Sequence, residues 1–121
     1  MITYFVGKDG IFYVKFAGPV TFTEVKEYLG KFKKIENLPL DIKLLYDFLE
    51  GEIDFIEEDL INIARIADDA TQKYTSIRTA FVASEPDTTA FSVLFSQLRT
   101  NPNNKRHVFS TTEAALNWLR D

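Results

Sequence analysis

No cysteine occurs among the 121 residues, which excludes a disulfide framework, a thiolate nucleophile and any Cys-ligated metal. Histidine is nearly as scarce: His107 stands alone, and one His without Cys rules out most hydrolase triads and any His-rich metal site by inventory. Its neighbours Arg106 and Val108 place it on a strand, remote in sequence from an acid or hydroxyl, and a structural or surface role is expected. Five glycines are scattered singly, so there is no Gly-rich phosphate loop. No Gly-x-Ser-x-Gly turn is present either, and Ser84 or Glu85 before Pro86 reads as a helix cap rather than as a nucleophile.

Other absences bound the location and the partners. Nowhere is there a run of about 18 apolar residues that would span a bilayer, and Met1-Ile2-Thr3-Tyr4 lacks the basic segment and apolar core of a signal peptide. The expectation is a cytoplasmic protein. With a formal net charge of -4 the chain has no clustered excess of Lys and Arg for nucleic acid. Lys26, Lys31, Lys33 and Lys34 alternate with Glu24, Glu27 and Glu36 and read as a solvated helix face.

What is present suits one globular domain spanning residues 1–121, a common size for an independent core. The content is 45% hydrophobic and 26% charged, with eleven phenylalanines. Residues 2 to 7 and 11 to 17 are rich in β-branched and aromatic types and flank Lys8-Asp9-Gly10, a tight-hairpin signal. In the second strand Phe12, Val14 and Phe16 share one face, and Ile11, Tyr13 and Lys15 the other. Gly18-Pro19 is expected to end it.

From Thr21 to about Ile35 apolar residues recur at helical spacing. Residues 43 to 48 read as a buried strand, followed by an acidic loop and a helix over about 55 to 74. Residues 76 to 84 form another buried strand, and Pro86 opens a helix whose stripe is Phe91, Leu94, Phe95 and Leu98. A last strand at 106 to 109 leads to a helix at 110 to 120, with a capping box in Ser110-Thr111-Thr112-Glu113. The order ββαβαβαβα implies an α/β fold: a mixed, largely parallel five-stranded sheet with four helices.

That order, together with Leu44-Leu45-Tyr46-Asp47 closing the third strand and the C-terminal Val108-Phe109-Ser110-Thr111-Thr112-Glu113-Ala114-Ala115-Leu116-Asn117-Trp118-Leu119, resembles the STAS superfamily, and within it the SpoIIAA-like (STAS-like) proteins. The resemblance covers nearly the whole chain. It implies a module that binds a protein partner through the loop and helix after the third strand, with a phosphorylatable Ser at that helix's start. Here Phe55-Ile56-Glu57-Glu58-Asp59-Leu60 sets Glu58 and Asp59 where the family has serines, and the family's Gly is missing. No Ser or Thr lies between Asp47 and Ala70, so a phospho-switch is not available at that place.

The expected function is a non-catalytic binding or regulatory module, with no cofactor and no metal. The resemblance points to a partner surface at Asp47, Phe48, Leu49, Glu50, Glu52, Phe55, Glu58, Asp59 and Ile61. A plainer reading of the same acids is helix capping by Asp54 with Glu57, since carboxylates in a first turn are favoured by the helix dipole. A divalent-cation reading finds no EF-hand spacing. The alternative function is a carrier of a small apolar, lipid-like ligand. Phe5, Phe12, Phe16, Phe32, Phe81, Phe91, Phe95 and Phe109 are expected to face inward, and lipid-binding CRAL-TRIO domains resemble STAS domains in fold. An exposed patch of Phe48, Leu49, Phe55 and Ile61 would favour the partner module, and a continuous Phe-lined pocket the carrier. On a helical wheel Ile61 and Ile66 fall off the core side, with Phe55 beside Ile66, which makes a twofold homodimer a further expectation.

Overall fold

The computed structural model of the chain describes residues 1–98 and 101–121. The strand β1 (Ile2–Val6) turns through Lys8-Asp9-Gly10 into β2 (Phe12–Thr21). Gly10 has φ 82°, and the Asp9 carboxylate holds the turn by accepting the Ile11 N–H at 3.1 Å and the Tyr13 hydroxyl at 2.7 Å. There follow α1 (Phe22–Lys34), β3 (Asp41–Asp54), α2 (Glu57–Ala70), β4 (Ser76–Val82), α3 (Pro86–Gln97), β5 (Asn104–Phe109) and α4 (Thr112–Arg120). The expected order ββαβαβαβα is the one observed. One five-stranded sheet runs β1-β2-β3-β4-β5, antiparallel at β1–β2 and parallel elsewhere.

Two strands run further than expected. Gly18-Pro19 does not end β2, which stays paired with β3 as far as Thr21 opposite Asp54. The last β1 pair is Ile2 with Phe16, so beyond it β2 is an edge, where a proline without an N–H is tolerated. The supposed acidic loop is likewise strand. Lys15 pairs with Asp47 and Ala17 with Glu50, so β3 carries an extra residue in a bulge, and the Asp47 carboxylate fixes it by accepting the Leu49 N–H at 2.9 Å. Past the bulge Gly51 lies so close to β2 that an added Cβ would sit 3.0 Å from the Phe16 carbonyl oxygen.

The helix caps account for several acids and hydroxyls. Thr21 accepts from Glu24 N, and Thr111, not Ser110, accepts from Ala114 N, each at 3.2 Å. At the start of α2 the expected Asp54–Glu57 arrangement does not form. Instead the Asp59 carboxylate reaches back to the Ile56 N–H at 3.2 Å, with Ile56 as the capping residue. This helix is shorter at both ends than its apolar period suggested, and Tyr74 is buried from the loop that follows it.

Helices cover both sheet faces. Phe12, Val14, Phe16, Ile42, Leu44 and Ile77 form a core with Tyr28, Leu29 and Phe32 of α1 and Ile63, Ala67 and Ala70 of α2. On the opposite face Ile11, Leu45, Ala80 and Val82 pack against Ala115 and Leu119 of α4. Two expected core assignments fail. Phe5 is 61% exposed, because β1 is an edge strand and this ring only stacks on Tyr13, centroids 5.0 Å apart. In α3 the inward residues are Thr88 and Ser92, flanked by half-buried Phe91 and Phe95, while Leu94 and Leu98 face solvent.

Candidate functional site

The period-2 alternation of β3 decides what its acidic stretch presents. Gly51 is buried and Ile53 half-buried, while Glu50, Glu52 and Asp54 all point outward. Glu50 pairs with Lys15, and the hydrogen bond between them, with their opposite charges, holds the Glu50 carboxyl below, and the Lys15 amine above, their ordinary ranges. Both side chains are more than half exposed, so the pair contributes little to stability. Among the described residues no cluster of three His, Asp or Glu side chains could hold a metal ion.

The anticipated partner surface is split by this geometry. Leu49, Glu50, Glu52, Glu58 and Ile61 are exposed, Asp47 is spent on the bulge, and Asp59 on the cap. Phe48 and Phe55 point the other way. Phe48 stacks on Phe16 at 4.0 Å between centroids with the rings 12° apart, and Phe55 meets Phe91 edge-on at 5.7 Å. The apolar patch Phe48–Leu49–Phe55–Ile61 therefore does not exist as a surface. Ile66, placed off the core side on the helical wheel, in fact packs against the main core, as does Phe55.

What Phe48 and Phe55 do line is a pocket of about 70 Å³ between the sheet and helices α1, α2 and α3. Tyr46, Phe81 and Phe95 continue the aromatic wall: Tyr46 lies 5.5 Å from Phe81, and Phe95 lies edge-on to Phe81 at 5.7 Å. Ile53, Phe55 and Phe91 of the lining are half-buried.

Polar groups occupy the pocket's margins. The Tyr28 hydroxyl donates to that of Tyr46 at 3.3 Å. Burial pushes both phenols above their ordinary range, that of Tyr28 well above it. From β5 come Asn104 and Arg106, both lining the pocket. The Arg106 side chain is 3% exposed and faces the Asp68 carboxylate of α2 at 3.6 Å. Its guanidinium also lies 4.6 Å over the Phe95 ring and donates to the Phe95 carbonyl at 3.4 Å. Asn104 is 2% exposed, and its Oδ1 has no hydrogen-bond partner. Sequence reasoning did not select Asn104, Arg106 or Asp68. The available signal was the alternation of Asn104, Arg106 and Val108 against Lys105, His107 and Phe109, which on an edge strand suggests a polar face turned to water. His107 itself is exposed on the α4 side, its ring 4.8 Å from Trp118, in keeping with a structural or surface role.

Among the described residues no helix is long and apolar enough to cross a membrane. No protein-family model matches the chain, and no curated protein matches it. Solved structures do. A Shewanella loihica PV-4 protein of the DUF3478 family, described as having a SpoIIAA-like fold, superposes with TM-score 0.63 at 15% identity, over 98% of this chain and 92% of that one. The anti-sigma factor antagonist SpoIIAA in its unphosphorylated form gives 0.59 at 10% identity, over 99% and 98%. The phosphorylated Bacillus cell fate determinant SpoIIAA gives 0.61 at 11%, over 99% and 100%. These superpositions, over nearly the whole of each chain, show that the chain has a SpoIIAA-like fold.

Proposed function

We propose that this chain is a non-catalytic binding module whose site is the ring-lined pocket between the sheet and helices α1, α2 and α3, taking a small apolar ligand. One observation carries this reading: Phe48 and Phe55, which a partner surface would need outside, turn inward and complete a pocket with Phe16, Phe81, Phe91 and Phe95. The volume limits the cargo. A cavity of roughly 150 Å³ holds a benzene, and about 70 Å³ is half of that. A single ring must leave part of itself in the mouth or displace a phenylalanine, and a long acyl chain does not fit.

Toluene titrated into the ¹⁵N-labelled protein tests the reading. Amide shifts are expected at Leu44, Thr79, Ser92 and Asn104, with a rise in melting temperature that grows with ligand concentration by mass action. Ala67→Phe, which fills the pocket from α2, should abolish both effects. Shifts confined to exposed residues, or none at all, would refute it.

A second reading keeps a protein partner. It is favoured by the outward row of Glu50, Glu52 and Asp54 with exposed Leu49, Ile56 and Ile61 beside it, and by a fold shared with an anti-sigma factor antagonist. Acids at the start of α2 replace any hydroxyl there, so such binding would not be switched by phosphorylation at that place.

A further inference from the structure

We propose that the free edge of β1 is a self-association surface, on which a second copy of this chain pairs antiparallel about a twofold axis at Tyr4. This surface is independent of the pocket. Strand edges are ordinarily guarded against such pairing by charge or proline. β5, the other outer strand, exposes Lys105, and the stretch of β2 beyond Phe16 holds Pro19. β1 has no such guard: Ile2-Thr3-Tyr4-Phe5-Val6 contains no charge, proline or glycine, and Tyr4, Phe5 and Val6 are exposed. The Ala17 N–H donates to the Met1 carbonyl at 2.9 Å and the Gly7 N–H to the Ile11 carbonyl at 2.8 Å. Hydrogen-bonded pairs alternate along an antiparallel ladder, so with Ile2 opposite Phe16 and Val6 opposite Phe12 the odd-numbered residues turn their backbone groups to β2. Ile2, Tyr4 and Val6 turn theirs to the open edge.

That edge is complementary to itself. An axis at Tyr4 sets Tyr4 opposite Tyr4 of the copy and Ile2 opposite its Val6, which pairs every outward N–H and C=O of the strand; an axis at Thr3 or Phe5 leaves some of them alone. Helix α1 adds a matching pattern of charge. It lies over β1, with the Tyr28 ring edge-on to Tyr4 at 5.9 Å and the Glu24 carboxylate 3.1 Å from the Met1 nitrogen. At about 100° per residue, Glu24, Glu27, Lys31 and Lys34 form the flank on that side, whereas Lys33, paired with Asp69 of α2, lies on the other. The axis at Tyr4 passes close to Tyr28 and runs the two α1 helices antiparallel, so the acidic half of each flank faces the basic half of the other. The pairing expected through α2 has no such basis, since Phe55 and Ile66 pack inward. Five strand residues and one helix flank fall short of the roughly 20–30 residues a side of a standard interface, so the dimer is a weak one.

Sedimentation velocity of the full chain from about 20 µM to about 1 mM should show the mean mass climbing from monomer toward dimer by mass action. Amide exchange at Ile2, Tyr4 and Val6 should slow over the same range, while Thr3 and Phe5 are protected throughout. Val6→Pro removes one outward N–H and spares the pairing with β2, and should weaken association about tenfold or more. Should it fail to fold, Phe5→Lys places a guarding charge on the same edge with the same expected loss. Lys31→Glu with Lys34→Glu, and Glu24→Lys with Glu27→Lys, should each weaken self-association about tenfold, whereas the two double variants mixed in equal amounts should recover the dimer, because their flanks are then opposite in sign. A parent that stays monomeric at about 1 mM, a dimer that persists in both β1 variants, or masses that grow past two copies overturn the proposal. Charge variants that dimerise alone as the parent does, and gain nothing on mixing, overturn it as well.

Discussion

Beneath α4 the buried core is Ile11, Leu45, Ala80, Val82, Ala115 and Leu119, none more than 2% exposed, with the Tyr13, Phe109 and Trp118 rings half-buried around it. Beneath α1, α2 and α3 the sheet is covered largely by rings, with Phe12, Phe16, Tyr28, Phe32, Tyr46, Phe48 and Phe81 in mutual contact. Both faces exclude water, yet a pocket opens on the second. The pocket lies where these rings converge with Ile53, Leu60 and Ile63. On the proposed reading, the difference separates a face that stabilises the fold from one that takes a ligand.

Truncation on each face gives the largest expected contrast. Leu119→Ala removes a fully buried side chain and should cost about 2–5 kcal/mol by urea unfolding. Phe91→Ala, at the half-buried lip of the pocket, should cost only about 1–2 kcal/mol, well under the range for a fully buried ring, and should raise toluene affinity by widening the entrance. Equal losses at the two positions would mean that the ring-lined face is packed as tightly as the other, and the contrast would collapse.

A smaller effect should appear in alkali. Burial raises the phenol pKa of Tyr28 and Tyr46 in the folded state, so the folded chain holds protons that the unfolded chain releases. The stability this contributes is complete below the unfolded value of about 10 and is lost as pH rises from there through the folded values. Tyr46→Phe takes away the acceptor of the Tyr28 hydroxyl, at about 1 kcal/mol near neutrality, and removes one of the two titrating groups. Urea midpoints between pH 8 and 11 should therefore fall less steeply in the variant. A slope as steep as the parent's would show that the pair on the ring-lined face does not set the alkaline limit.

Least affected should be the outer side of β3. Glu50→Lys, Glu52→Lys and Glu58→Lys together alter exposed groups, each expected to change stability by no more than about 0.5 kcal/mol, with toluene affinity unchanged. Capture of a protein partner lost in this triple variant, while the fold persists, would support the second reading. A large drop in melting temperature would instead give the acids a structural role that neither face explains.

Much of this architecture was legible in the chain itself. The hairpin at Asp9-Gly10, the alternation that sends Phe12, Val14 and Phe16 to one face and Ile11 and Tyr13 to the other, and the helical period of Leu60, Ile63, Ala64 and Ala67 all hold in the structure. The extension of β3 was also written there, as the alternation Glu50-Gly51-Glu52-Ile53-Asp54, but its glycine and acids read equally well as a loop. Choosing strand required the neighbouring edge of β2, a partner far away in sequence.

Local pattern determined the elements, their order and most of their buried faces, because periodicity and turn chemistry act over a few residues. Only the tertiary structure decided which aromatic residues close a pocket and which are left at an edge. Phe5 and Phe48 are both strand phenylalanines, yet one lies on the outermost strand and the other is stacked between Phe16 and Phe81. The same holds for Asn104 and Arg106: whether an edge-strand polar residue meets water or a helix depends on where α2 and α3 cross the sheet. That crossing is set by the summed packing of distant side chains, which no short window of sequence contains.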